Sequence, residues 1–110
     1  MEWDYGDYEG LTSDQIHVER PGWSIFEDGA PGGESPDQVA ARADAVIERM
    51  ASAGGLCVAF AHGHLLRVLG ARWMGLPASG GARLGLSTGT LSALGTEHGL
   101  RALGRWNAAP

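Results

Sequence analysis

Two histidines flank a glycine in the stretch Phe60-Ala-His-Gly-His-Leu-Leu-Arg67, where an apolar run gives way to an amphipathic one. His62 falls at the expected carboxyl end of a buried strand, just before a helix. In open α/β sheets that edge is where ligands bind. The first amides of the helix, near Gly63 and His64, point outward and favour an anion. Gly63 has no side chain to hold a ligand away from the backbone. A ring nitrogen beside such amides is a good donor to a phosphate oxygen. The alternative is a buried histidine satisfied by backbone groups.

The other chemistry-bearing residues are weaker candidates. His64 reads as an exposed residue at the helix start. A metal centre built on His62 and His64 needs further ligands that spacing does not supply, so no metal is expected. His17 and His98 lie in polar contexts and read as solvated. Gly85-Leu-Ser-Thr-Gly89 has the G-x-S-x-G form of a hydrolase elbow. That motif must join a strand to a helix, and here Thr90-Leu-Ser-Ala-Leu94 reads as a strand.

The elements that must position these residues follow from local signals. Residues 1–10 read as an aromatic, acidic loop. Thr12-Ser-Asp-Gln15 has the form of a capping box and predicts a short helix over about 13–19. Pro21-Gly22 stops it, and the Gly/Pro cluster at 29–33 marks 22–34 as a long loop. Trp23 and Phe26 in that loop serve either core packing or a pocket wall. Ser35-Pro-Asp-Gln38 is a stronger helix start, with a cap, a proline at the first position and a second capping box. Val39, Ala43, Val46, Ile47 and Met50 then share one helical face, and Gly54-Gly55 ends the helix.

Leu56-Cys-Val-Ala-Phe-Ala61 is of strand length and apolar throughout, as a strand buried on both faces would be. Leu65, Leu66, Leu69, Trp73 and Leu76 mark a second helix that Pro77 ends. Residues 78–82 read as a loop. The tail 83–106 predicts two or three strands with a hairpin at 96–99. Helix, strand, helix and then strands is the order of an α/β layer architecture.

Composition narrows the class. A chain of 110 residues with 44% hydrophobic content predicts one small globular domain. The net charge of −5 argues against nucleic acid as a partner. The charge is uneven: residues 1–48 hold twelve acids and two arginines, residues 49–110 one acid and six arginines. That pattern fits halves that attract each other, or a basic second half that helps to hold an anion. Cys57 is alone and reads as a buried free thiol. No apolar run nears the ~20 residues that span a bilayer. The acidic opening is unlike a signal peptide, so no membrane partner and a cytoplasmic location are expected.

Three stretches, taken in order, resemble the histidine phosphatase superfamily, the phosphoglycerate-mutase-like group. Glu2-Trp-Asp-Tyr-Gly-Asp-Tyr-Glu-Gly10 is similar to that family's E-x-x-x-G-x-x-E-G segment. Pro31-Gly-Gly-Glu-Ser35, followed by a helix carrying Arg42, is similar to a second. Ala61-His-Gly-His64, with Arg67 one turn on, is similar to a third, and the tail to Trp106-Asn107 also fits.

The resemblance implies a partial three-layer α/β/α fold, a phosphoglycerate-mutase-like sheet with flanking helices. In that family a phosphoryl group passes to a nucleophilic histidine. A second histidine and two arginines hold its oxygens, and a carboxylic acid protonates the leaving oxygen. His62 matches the second histidine, Glu2 the acid, and the Gly63 backbone would touch phosphate. Burial beside the phosphate would have to raise the Glu2 pKa. The implied ligand is a phosphorylated small molecule, and no cofactor is implied. Family members act on sugar phosphates, nucleotides, phosphoproteins and small cofactors, as mutases or as phosphatases.

One element of the family pattern is missing. The nucleophile's Arg-His-Gly motif occurs nowhere in these residues. By resemblance it would precede Met1, so residues 1–110 correspond to the C-terminal half of the family domain. A chain so truncated is expected to be inactive or weakly active alone. The strand ending at His62 would then lack its neighbour. Its open edge is expected to drive homo-oligomer formation or aggregation. The alternative function is a non-catalytic module that binds a phospho-ligand or a partner chain.

Overall fold

Four helices and one hairpin make up the computed structural model, which describes residues 1–110. Both predicted capping boxes form. Thr12 accepts from the Gln15 amide and Ser35 from the Gln38 amide, and each glutamine side chain accepts from its cap's N–H. These boxes open α1 (Ser13–Glu19) and α3 (Pro36–Ala53). Helix α2 (Ile25–Asp28) lies inside the expected loop. Its local signal is poor, and burial of Ile25 and Phe26 forms it. Helix α4 (Gly63–Trp73) starts at His62 as expected. A 3-10 turn over Ala78–Arg83 replaces the expected loop after it.

The core lies between α3 and α4. Val39, Ala43 and Ile47 meet Leu65, Val68 and Leu69, with Trp3, Ile25 and Phe26 closing one end. Of the face expected for α3, Val39, Ala43 and Ile47 are buried, Val46 packs at the margin, and Met50 lies outside the core cluster. In α4 the fully buried Val68 replaces Leu76, which is exposed.

The tail forms strands β1 (Leu91–Glu97) and β2 (Leu100–Ala108), paired antiparallel. Glu97 pairs with Leu100, leaving His98-Gly99 as a two-residue turn. Both turn residues have positive φ, the conformation that matches the twist of paired strands. The Trp73 indole N–H donates to the carbonyls of Gly95 and Ala102, tying the hairpin to α4.

Leu56–Ala61 departs from expectation. The segment belongs to no sheet, because the only sheet pairs β1 with β2. It runs unpaired from α3 to α4, with Leu56 95% and Phe60 94% exposed. A strand needs a neighbour to satisfy its N–H and C=O groups, and no strand in residues 1–110 pairs with this segment. Cys57 is correspondingly only half-buried.

Candidate active site

Glu2 and the α4 amides of His64 and Leu65 are 62 and 63 residues apart in sequence and meet in space. The carboxylate of Glu2 accepts from the amides of Leu65 (2.9 Å) and His64 (3.1 Å), and from its neighbour Trp3 (2.8 Å). It sits on the free donors of the helix N-terminus, where the helix dipole favours an anion. His62 is the N-cap of α4. Its ring is exposed and makes no capping bond. Gly63 is the first helical residue, and a Cβ there would meet nothing within 4 Å. The three residues singled out from the sequence thus share one helix start.

Burial alone would raise the Glu2 pKa, as expected for an acid catalyst. Backbone N–H groups of Trp3, Leu65 and His64 outweigh it, helped by the nearby His64 ring, so the pKa is lowered. In this arrangement Glu2 is ionised at neutral pH. The donors that place the carboxyl also hold it in its charged form.

His64 is not the exposed residue expected from the sequence. Its ring lies edge-to-face against Tyr5 and Phe26, with centroids 5.7 and 5.4 Å apart. Nδ1 is hydrogen-bonded to the Tyr5 hydroxyl and lies 4.0 Å from Glu2 Oε2. Burial pushes the Tyr5 pKa up, and the Glu2 charge adds to this. The phenol therefore stays protonated, and it also lies within hydrogen-bond reach of the Glu2 carboxylate. Burial lowers the His64 pKa; Glu2 opposes that and Arg67 reinforces it.

Arg67 is committed to structure. Its guanidinium lies over the Phe26 ring at 4.6 Å and donates to the carbonyls of Gly81 and Ala82. His17 is not merely solvated, since its Nε2 bonds the Trp23 carbonyl at 2.8 Å. His98 is exposed on the hairpin turn. Ser87 in the G-x-S-x-G stretch precedes a turn and a strand rather than a helix. No sequence signal marks the Tyr5–His64 contact, which joins residues 59 apart.

The profile of the histidine phosphatase superfamily (branch 1) matches residues 1–109. The chain belongs to the histidine phosphatase superfamily. It is 43% identical over 106 residues to an acid phosphatase of Mycobacterium tuberculosis, a match covering 93% of this chain and 51% of that protein. It is 37% identical over 94 residues to sedoheptulose 1,7-bisphosphatase of Saccharomyces cerevisiae, covering 68% of this chain and 34% of the relative.

Among solved structures, a Mycobacterium tuberculosis open reading frame product superposes with a TM-score of 0.95 at 37% identity, over 98% of this chain and 57% of that one. The alpha-ribazole phosphatase of Shigella flexneri shares the fold, with a TM-score of 0.73 at 22% identity over 99% of this chain and 59% of that one. The architecture is therefore a partial α/β fold of the phosphoglycerate-mutase-like kind. The 110 residues span about half the length of the acid phosphatase and a third of the bisphosphatase. No helix is long and apolar enough to cross a membrane.

Proposed function

We propose that these residues form the acid-bearing half of a phosphomonoester hydrolysis site. The His62 ring and the Gly63 amide take phosphate oxygens, and Glu2 faces the leaving oxygen. The observation that carries this is the meeting of Glu2 with the α4 N-terminus that His62 caps. The names of the two curated relatives favour hydrolysis of a phosphorylated small molecule over a mutase reaction.

Glu2 must carry a proton to act as an acid. A phosphate group arriving beside it at His62 and the Gly63 amide supplies that condition, because its negative charge disfavours a second anion next to it. Phosphoryl transfer also needs a nucleophilic histidine in an Arg-His-Gly motif, which is not among residues 1–110. These residues alone therefore bind phosphate but turn over slowly or not at all.

The unpaired Leu56–Ala61 segment supports a second reading, a module that binds a partner chain. It offers open backbone groups and exposed apolar side chains, and a second copy of the chain can pair with it.

The test is hydrolysis of p-nitrophenyl phosphate between pH 5 and 7, with His62→Ala as control, together with an NMR titration by inorganic phosphate. The expected result is no turnover above the control and phosphate-dependent shifts at His62 and Gly63. Turnover that His62→Ala abolishes would overturn the half-site reading. Silence at His62 and Gly63 would overturn phosphate binding.

A further inference from the structure

The segment Pro31-Gly-Gly-Glu-Ser35 and Arg42 takes no part in the chemistry proposed above, yet it makes the densest polar contacts in the molecule. The Arg42 guanidinium forks onto both oxygens of the Glu34 carboxylate at 2.8 Å. The same group reaches the carbonyls of Met1 (2.9 Å) and Glu2 (3.2 Å). Glu34 completes the circuit: its carboxylate accepts from the Asp4 amide at 2.8 Å and its carbonyl from the Trp3 indole N–H at 3.0 Å. Its own amide donates to the Asp4 carbonyl at 2.9 Å. Residues 1–4 are thus gripped on both sides of Glu2.

Close backbone approach makes the grip possible. A Cβ on Gly33 would lie 2.6 Å from the Gly6 amide nitrogen and closer still to the Asp4 carbonyl oxygen. A Cβ on Gly6 would run into the backbone of Pro31–Gly33. Glycine is required on both sides of the seam, and the Asp7 amide closes it by donating to the Pro31 carbonyl at 2.7 Å.

We propose that Arg42 and Glu34 are positioning residues whose ion pair holds the Glu2 backbone so that its carboxylate reaches the α4 N-terminus. Arg42 acts through the Glu2 carbonyl and does not touch the carboxylate. The groups that face the carboxylate are the His64 ring and the Tyr5 phenol. The catalytic meaning of the clamp rests on Glu2 being the acid, as proposed above. The placement itself does not.

The test is an NMR titration of the Glu2 side-chain carboxyl carbon in Arg42→Ala, Arg42→Lys and Arg72→Ala. Arg72 makes an equally close fork onto Asp44, between α3 and α4. Removing it imposes a comparable loss of ion pairing away from Glu2. In Arg42→Ala the Glu2 midpoint should rise toward the ordinary glutamate value as the His64 and Leu65 amides are lost, and those amide protons should move upfield. Arg42→Lys should recover part of the change, because an ammonium cannot fork but still reaches one partner. Arg72→Ala should leave Glu2 unmoved.

An unchanged Glu2 midpoint in Arg42→Ala, or the same rise in Arg72→Ala, overturns the proposal. If Arg42→Ala does not fold, Glu34→Gln serves with the same expectations, since it keeps the backbone bond to Trp3 while removing the charge. Absence of phosphate shifts at His62 would sink the phosphate site, whereas an unmoved Glu2 would sink the clamp.

Discussion

Residues 1–8 and residues 55–61 both border the start of α4, and they are built in opposite ways. The N-terminal segment is locked. Trp3 is 2% exposed, its indole N–H is bonded, and Arg42 grips the carbonyls on either side of Glu2. The segment leading into His62 makes no sheet contact and exposes Phe60 and Leu56 almost completely. One border of the candidate site is held by contacts within residues 1–110, and the other makes few.

The sharpest way to break the comparison is to truncate one aromatic from each border. Trp3→Ala removes a buried indole stacked edge-to-face on Phe26. It should destabilise by about 3–5 kcal/mol, as large-to-small core changes do. Phe60→Ala removes a ring with almost no packing, and should change stability by no more than about 0.5 kcal/mol. Urea unfolding of the two variants measures both. Equal losses would show that residues 55–61 pack as firmly as residues 1–8. The same exposed residues should govern association. Leu56→Ser with Phe60→Ser should move a sizing profile toward the monomer without lowering the unfolding midpoint, and an unchanged profile would place any self-association elsewhere.

Glycines give a second, smaller contrast. Gly33→Ala forces a methyl group into the backbone of residues 4–6 and should cost about 1–3 kcal/mol, the usual penalty of overpacking. Gly85→Ala points into open space with an ordinary φ and should be neutral or slightly stabilising. A tolerated Gly33→Ala would mean that the seam between residues 4–7 and 31–34 is looser than its contacts indicate.

These contrasts follow the line between what was legible in the sequence and what was not. The Thr12 and Ser35 capping boxes, the His62 helix start and the turn at residues 98–99 depend on residues a few positions apart. Each was readable and each forms. The strand at 56–61 was a sound reading of composition, yet strand pairing depends on a partner that local sequence does not describe. Helix α2 was hidden for a related reason: its glycine- and proline-rich surroundings signal a loop, whereas burial of Ile25 and Phe26 and the bond from the Ser24 amide to the Asp28 carboxylate favour a helical turn. His62 and Gly63 were singled out by their place at a helix start, and Glu2 through motif resemblance. Tyr5 and the burial of His64 were not, because their contact spans 59 residues and neither residue announces the other. Even the direction of the Glu2 shift was hidden, since two of its three backbone donors are α4 amides that Glu2 meets only once it reaches the helix.

The smallest expected effect is also the most local, and lies in how stability depends on pH. Two groups that meet where the locked border reaches α4 have lowered pKa values in the folded chain, Glu2 below its ordinary 4.5 and His64 below its ordinary 6.5. A lowered folded-state value means that the unfolded chain binds the proton more readily. Stability is then fully present above the unfolded value and lost as pH falls through the folded one. His64 should give an upper limb of loss beginning below about pH 6.5, and Glu2 a lower limb below about 4.5. Glu2→Gln should flatten the lower limb, and His64→Asn the upper one. Residues 55–61 hold no acid and no histidine, so substitutions there should leave the curve's shape intact. Urea midpoints measured from about pH 2 to 8 decide the matter. Limbs that persist in both variants would trace the acid sensitivity to other groups, and the locked border would then owe its order to packing and the Arg42 clamp rather than to charge at the site.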